Sequence, residues 1–86
     1  MERWTFLILA DEQGDPEQIR IFLRRGDDPD AWPCLQVALD GTEVAVDTVQ
    51  KDYEAPEWKA LELFTAGGGS PQRWEELKDK LRAQAV

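Results

Sequence analysis

Apolar and polar positions alternate most clearly between Pro33 and Val49. The stretch reads Pro-Cys-Leu-Gln-Val-Ala-Leu, then Asp40-Gly41, then Thr-Glu-Val-Ala-Val-Asp-Thr-Val. Two runs of period two flanking an Asp-Gly pair predict a β-hairpin. A two-residue turn at Asp40-Gly41 sets Leu39 against Thr42, Val37 against Val44 and Leu35 against Val46. All six share one face, because side chains alternate across a strand. Cys34, Gln36, Ala38, Glu43, Ala45 and Asp47 take the other. A three-residue turn that sets Leu39 against Glu43 mixes the faces, so the pattern selects the two-residue turn. Gly41 supplies its positive φ.

Trp4 to Ala10 is nearly continuous in apolar residues, as in a strand covered on both faces and central in its sheet. Asp11 to Asp15, followed by Pro16, is a loop. Residues 17–25 fit two periods. As a helix, Asp15 is the N-cap, Pro16 the first residue and Gly26 the stop, but Ile21 falls off the Ile19-Phe22-Leu23 stripe. As a strand, Ile19, Ile21 and Leu23 alternate with Arg20, Phe22 and Arg24, and no isoleucine is stranded. The strand is the better fit. Gly26 to Pro33 is a loop, and residues 50–55 lead out of the hairpin.

Pro56 to Ala66 predicts a helix with Trp58, Leu61 and Phe64 at helical spacing, and Gly67-Gly68-Gly69 then forms a permissive hinge. Ser70 as N-cap and Pro71 at the first helical position open a second helix. Its stripe is Trp74, Leu77 and Leu81, and its charge runs from Glu75 and Glu76 to Lys78, Lys80 and Arg82. Strands followed by helices imply a single α+β domain over residues 1–86. It has a small antiparallel sheet of about four strands, meander-like, with a tight hairpin at Asp40-Gly41 and two C-terminal helices packed on it.

Composition then narrows the function classes. The chain has 86 residues with a net charge of −8. An excess of acid disfavours direct nucleic-acid binding and an anionic membrane surface, and fits either a solubilising charge or attraction to a partner with a basic surface. A histidine count of zero removes the usual neutral-pH base and histidine metal sites. There is no phosphate loop, and neither Asp27-Asp28-Asp30 nor Asp11-Glu12-Asp15 has the spacing of a twelve-residue calcium loop. No catalytic residue, cofactor site or metal site is assigned. The single cysteine, Cys34, fits a reducing compartment, and the apolar run after Met1 is too short for a secretion signal, so the expected location is cytoplasmic.

Trp4, Trp58 and Trp74 lie on apolar stripes and read as core or core-edge residues. Trp32 lies in a loop beside Asp27, Asp28 and Asp30. Arg20, Arg24 and Arg25 are the only basic cluster in the first half of the chain. The expected function is a non-catalytic protein-protein interaction module, an inhibitor or regulator acting through an acidic surface. Its binding residues are Trp32, Asp27, Asp28, Asp30, Glu43 and Asp47. A sharper version imitates the phosphate charge of a nucleic acid. The alternatives are a structural protein that forms homodimers or larger homo-oligomers, and a small ligand-binding protein or enzyme.

Overall fold

Ile19, Ile21 and Leu23 decide how residues 16–23 fold. In the computed structural model, which describes residues 1–46 and 51–84, this segment is a strand, β2 (Pro16–Leu23). All three side chains are buried on one face. Asp15 caps no helix. Instead Asp11 Oδ1 accepts from the N–H groups of Gln13 and Asp15, each at 2.9 Å, and closes the preceding loop. Pro16 sits at the first position of the strand, where its missing donor is tolerated.

Around β2 the sheet has five strands: β1 (Trp4–Ala10), β3 (Cys34–Ala38), β4 (Glu43–Val44) and β5 (Lys51–Ala55) complete it. The order is β4-β3-β2-β1-β5, and every adjacent pair is antiparallel. The first four strands form the expected meander. The fifth, in a segment whose pattern looks only like a connection, joins the far edge beside β1. It has few apolar residues, and only Ala55 is buried. With β5 in place, β1 is an interior strand, which accounts for its apolar composition.

The hairpin lies at Asp40-Gly41, but its register differs from the expected one. Gln36 pairs with Val44 and Val37 with Glu43. The connection has three residues, Leu39 to Gly41. Gly41 N–H donates to Ala38 O at 3.0 Å, and Ala38 N–H donates to Thr42 O at 2.8 Å. Gly41 has φ +93°. This is a turn followed by a glycine bulge. The shift turns Glu43 to the same side as Val37 and sends Val44 to the opposite side, beside Gln36. Val46 is consequently exposed rather than paired with Leu35. In this register Glu43 also meets a cation of the second helix, 37 residues away: Lys80 Nζ donates to Glu43 Oε2 at 2.7 Å.

Both helices cover the face formed by Phe6, Ile8, Ile19, Ile21, Leu23 and Val37. They are α1 (Glu57–Ala66) and α2 (Pro71–Gln84). Ser70 Oγ accepts from Arg73 N–H at 3.0 Å, the cap that the sequence predicts. Trp74 stacks on Phe6 at 5.4 Å between ring centroids and meets Phe64 at 5.0 Å. It is almost fully buried, worth roughly 4–6 kcal/mol before entropy costs for an aromatic burying about 150–250 Å².

The glycines between the helices are not a hinge. A Cβ on Gly67 would lie under 3.0 Å from Leu39 Cβ, and one on Gly69 under 3.0 Å from the Phe64 ring. Gly69 N–H also donates to Leu39 O at 3.1 Å. The stretch is glycine because the helix connection presses against the β3–β4 turn.

Candidate functional site

Of the residues singled out in the sequence, Asp27, Asp28, Asp30 and Trp32 share one loop, and Glu43 lies away from them. Trp32 follows a short 3-10 turn (Pro29–Ala31) that Asp28 caps, its Oδ1 accepting from Asp30 N–H at 3.1 Å. The indole is half-buried. It meets Phe22 edge-on at 6.4 Å between ring centroids, and its Nε1–H donates to Gly26 O at 3.4 Å. The Arg24 guanidinium lies 5.3 Å from its ring centroid. Asp27, Asp28 and Asp30 are exposed. Glu43 is at the opposite end of the sheet, held by Lys80 at 2.7 Å and Arg73 at 3.8 Å. Asp47 lies outside the described residues.

On the outer sheet face, away from the helices, Gln36 is almost wholly buried. Arg20 Nη2 donates to Gln36 Oε1 at 2.6 Å, and Gln36 Nε2 donates to Gln18 Oε1. This network satisfies a buried amide that would otherwise cost about 1–3 kcal/mol. Cys34 is half-buried on the same face, opposite Phe22. Among the described residues, no three acidic or cysteine side chains gather as cation ligands.

The cations of α2 are all engaged. Arg82 pairs with Glu2 at 2.7 Å and Asp79 at 2.6 Å. The hydrogen bond from Arg82 holds the Glu2 carboxyl below its usual range. Lys78, almost buried, donates to Glu57 Oε2 at 2.8 Å and lies 4.8 Å from the Trp4 ring centroid. Trp74 Nε1–H donates to the same oxygen at 2.9 Å. Burial pushes the Glu57 pKa up, but the hydrogen bonds from Lys78 and Trp74 outweigh it and hold the group below its usual value. The pair fastens the start of α1 to the middle of α2.

Because those acids are neutralised in place, the unpaired negative charge lies elsewhere, at Asp27, Asp28 and Asp30 in the Trp32 loop and at two further places. Asp11, Glu12, Asp15, Glu17 and Asp40 surround the end of the sheet where β1 finishes and β2 starts. Asp52 and Glu54 lie along β5, where they stand opposite Leu9 and Leu7. None of these seven forms an ion pair among the described residues.

The β5 edge is the surface that sequence reasoning missed. β5 pairs with β1 on one side and, among the described residues, with no strand on the other. Tyr53, in its middle, is 46% exposed, and Trp58, in the first turn of α1, is 67% exposed. Trp58 was expected on the apolar stripe. The helix instead buries Ala60 and Phe64, spaced i, i+4, and turns Trp58 to the opposite side. One signal was present: Asp52 and Glu54 alternate with Tyr53 and Ala55, a period of two.

No helix among the described residues is long and apolar enough to cross a membrane. Compared with known proteins, the chain matches no protein-family model, no curated protein and no solved structure.

Proposed function

We propose that the protein is a non-catalytic interaction module that adds a basic, extended segment of a partner protein to the open edge of β5. The observation that carries this reading is the combination along β5 of backbone unpaired among the described residues, an exposed Tyr53 and two unpaired carboxylates, with the exposed Trp58 three residues beyond the strand. A partner strand takes up the outward N–H and C=O groups, at about 0.5–1.5 kcal/mol net per hydrogen bond. Lys or Arg at alternate positions meets Asp52 and Glu54, and Trp58 supplies an aromatic anchor. Aromatic residues are enriched at interface centres, and Trp58 is exposed, whereas Trp32 already has Phe22 and Arg24 as neighbours.

The same edge argues against self-pairing. Two β5 strands, antiparallel with Tyr53 opposite its own copy, set Asp52 against Glu54 twice. Like charges directly opposite destabilise a strand pair, and charged edges are how sheets avoid their own copies. A basic partner turns those two repulsions into attractions.

The test is a titration of the protein with an extended peptide that alternates Arg with Val, followed by tryptophan fluorescence at several salt concentrations. Binding is expected to weaken as salt rises, because the pairs are solvent-exposed. Asp52→Lys with Glu54→Lys is expected to abolish it and Trp58→Ala to weaken it. Absent or salt-independent binding, or binding that ignores these variants, overturns the reading. Light scattering over a concentration series tests the homo-oligomeric alternative, which a monomer at every concentration rules out.

A further inference from the structure

An acidic protein is expected to neutralise its few arginines, yet three have no acidic partner. Arg3, Arg24 and Arg25 form no ion pair among the described residues, although the chain holds 18 acids against 10 bases. They meet at the end of the sheet where β1 begins and β2 finishes. Arg24 N–H donates to Arg3 O at 2.9 Å, which fixes the two backbones side by side. Arg3 and Arg24 line a cleft of about 490 Å³ together with Gly26, Asp27, Pro29 and Trp32. Arg24 and Arg25, with Glu2 and Leu23, line a second, smaller cleft of about 200 Å³.

We infer that this arginine cluster is a binding site for a small oxyanion, a carboxylate or a phosphate monoester, received between Arg3 and Arg24 against Trp32. Guanidinium groups match the paired oxygens of both anions. Stacking on Trp32 restricts Arg24 and so reduces the entropy lost on binding. Asp27, Asp28 and Asp30 keep their charge at this end of the sheet, but among the described residues none of the nearby carboxylates is ion-paired to the cluster. Glu2 is taken by Arg82, and Asp28 is turned to its own 3-10 cap. Asp27 alone lines the cleft, where it suits a hydroxyl or ammonium on the same ligand, and Asp30 lies one turn beyond.

The acidic loop cluster lies at the other end of β1. Seven residues of strand at about 3.3 Å each separate the two ends by more than two Debye lengths at physiological salt. The net charge still repels a polyanion, which has to pass the whole surface, so the ligand is a small molecule or a single anionic group rather than nucleic acid.

The experiment titrates the protein at constant ionic strength with inorganic phosphate, with succinate and with chloride, and follows the Trp32 indole and the arginine side-chain signals by NMR. Saturable shifts at Trp32 and Arg24 with phosphate or succinate, absent with chloride, are expected, and the tighter of the two identifies the ligand chemistry. Arg24→Gln and Arg3→Gln are each expected to weaken binding about tenfold or more, while Lys59→Gln on α1 leaves it unchanged. Shifts that fail to saturate, that chloride reproduces, or that survive in both arginine variants overturn the inference. The β5 variants bear on a different edge and leave this result unaffected, so the two readings fail separately.

Discussion

Replacing Gly67 by alanine separates a packed glycine from a flexible one by the sign of its effect. Gly67 ends α1 with φ −89° and ψ 2°, a negative-φ conformation that L residues adopt in turns and that does not require glycine. In a free hinge the substitution stabilises by about 0.4–1 kcal/mol, because the unfolded chain loses entropy. In this structure the new Cβ falls under 3.0 Å from Leu39 Cβ, where ordinary contact is 3.4–4 Å. Leu39 Cβ is fixed to the backbone, so no rotamer change relieves the clash. The β3–β4 turn or the end of α1 has to move, and the Gly69–Leu39 hydrogen bond is strained with it. Overpacking of this kind costs about 1–3 kcal/mol, and at the upper part of that range, about 2–3 kcal/mol for a contact that no rotamer relieves, the net loss after the entropy gain is about 1–2.6 kcal/mol. A chain of this length has roughly 4–13 kcal/mol of stability in total, so urea denaturation resolves the change, and the midpoint of thermal unfolding falls by roughly 5–15 °C. The double variant with Leu39→Gly removes the opposing Cβ, and a positive coupling in the cycle ties the loss to this contact. A Gly67→Ala protein as stable as the parent, or more so, refutes the packing argument.

Three further outcomes follow from the same structure. Trp74→Ala is expected to cost about 3–5 kcal/mol in urea unfolding, and Trp58→Ala less than about 0.5 kcal/mol, because the first ring is buried between Phe6 and Phe64 and the second is exposed. Equal losses would contradict the assigned helix face. Gly41→Ala combines φ +93° with a Cβ 2.8 Å from Arg73 Cγ, and is expected to lower stability by more than about 1 kcal/mol by the same assay. The Glu57 carboxyl titrates below its usual value of 4.5 in the folded protein. Its contribution is therefore present above pH 4.5 and is lost as pH falls through the lower folded value, so Glu57→Gln should flatten the acid limb of stability against pH, and an unchanged limb would count against the Lys78–Glu57–Trp74 arrangement.

What the sequence determined on its own was local and periodic. Ile19, Ile21 and Leu23 specify a strand because only period two places all three on one face. Ser70, Pro71 and the Trp74-Leu77-Leu81 stripe specify the second helix, since its cap and its buried face are both written within a dozen residues. The strand-then-helix order carried the α+β class. Four features needed the tertiary structure. Lys51 to Ala55 became a strand because β1 offered it an open edge, not because its residues demand one. The hairpin takes a register in which Glu43 meets Lys80 and Arg73, residues of a helix far along the chain. Trp58 faces outward because Ala60 and Phe64 win the contact with β1 and β2. The three glycines are packed because Leu39 and Phe64 approach them from other elements. The candidate sites divide in the same way. The arginines and Trp32 are visible in the sequence as separate residues, and their proximity is decided by the pairing of β1 with β2. The β5 edge is hardly visible at all, because an edge is defined by the strand that is missing beside it. A periodic pattern records which face of an element is buried, whereas register, edges and close approach depend on residues far apart in the chain.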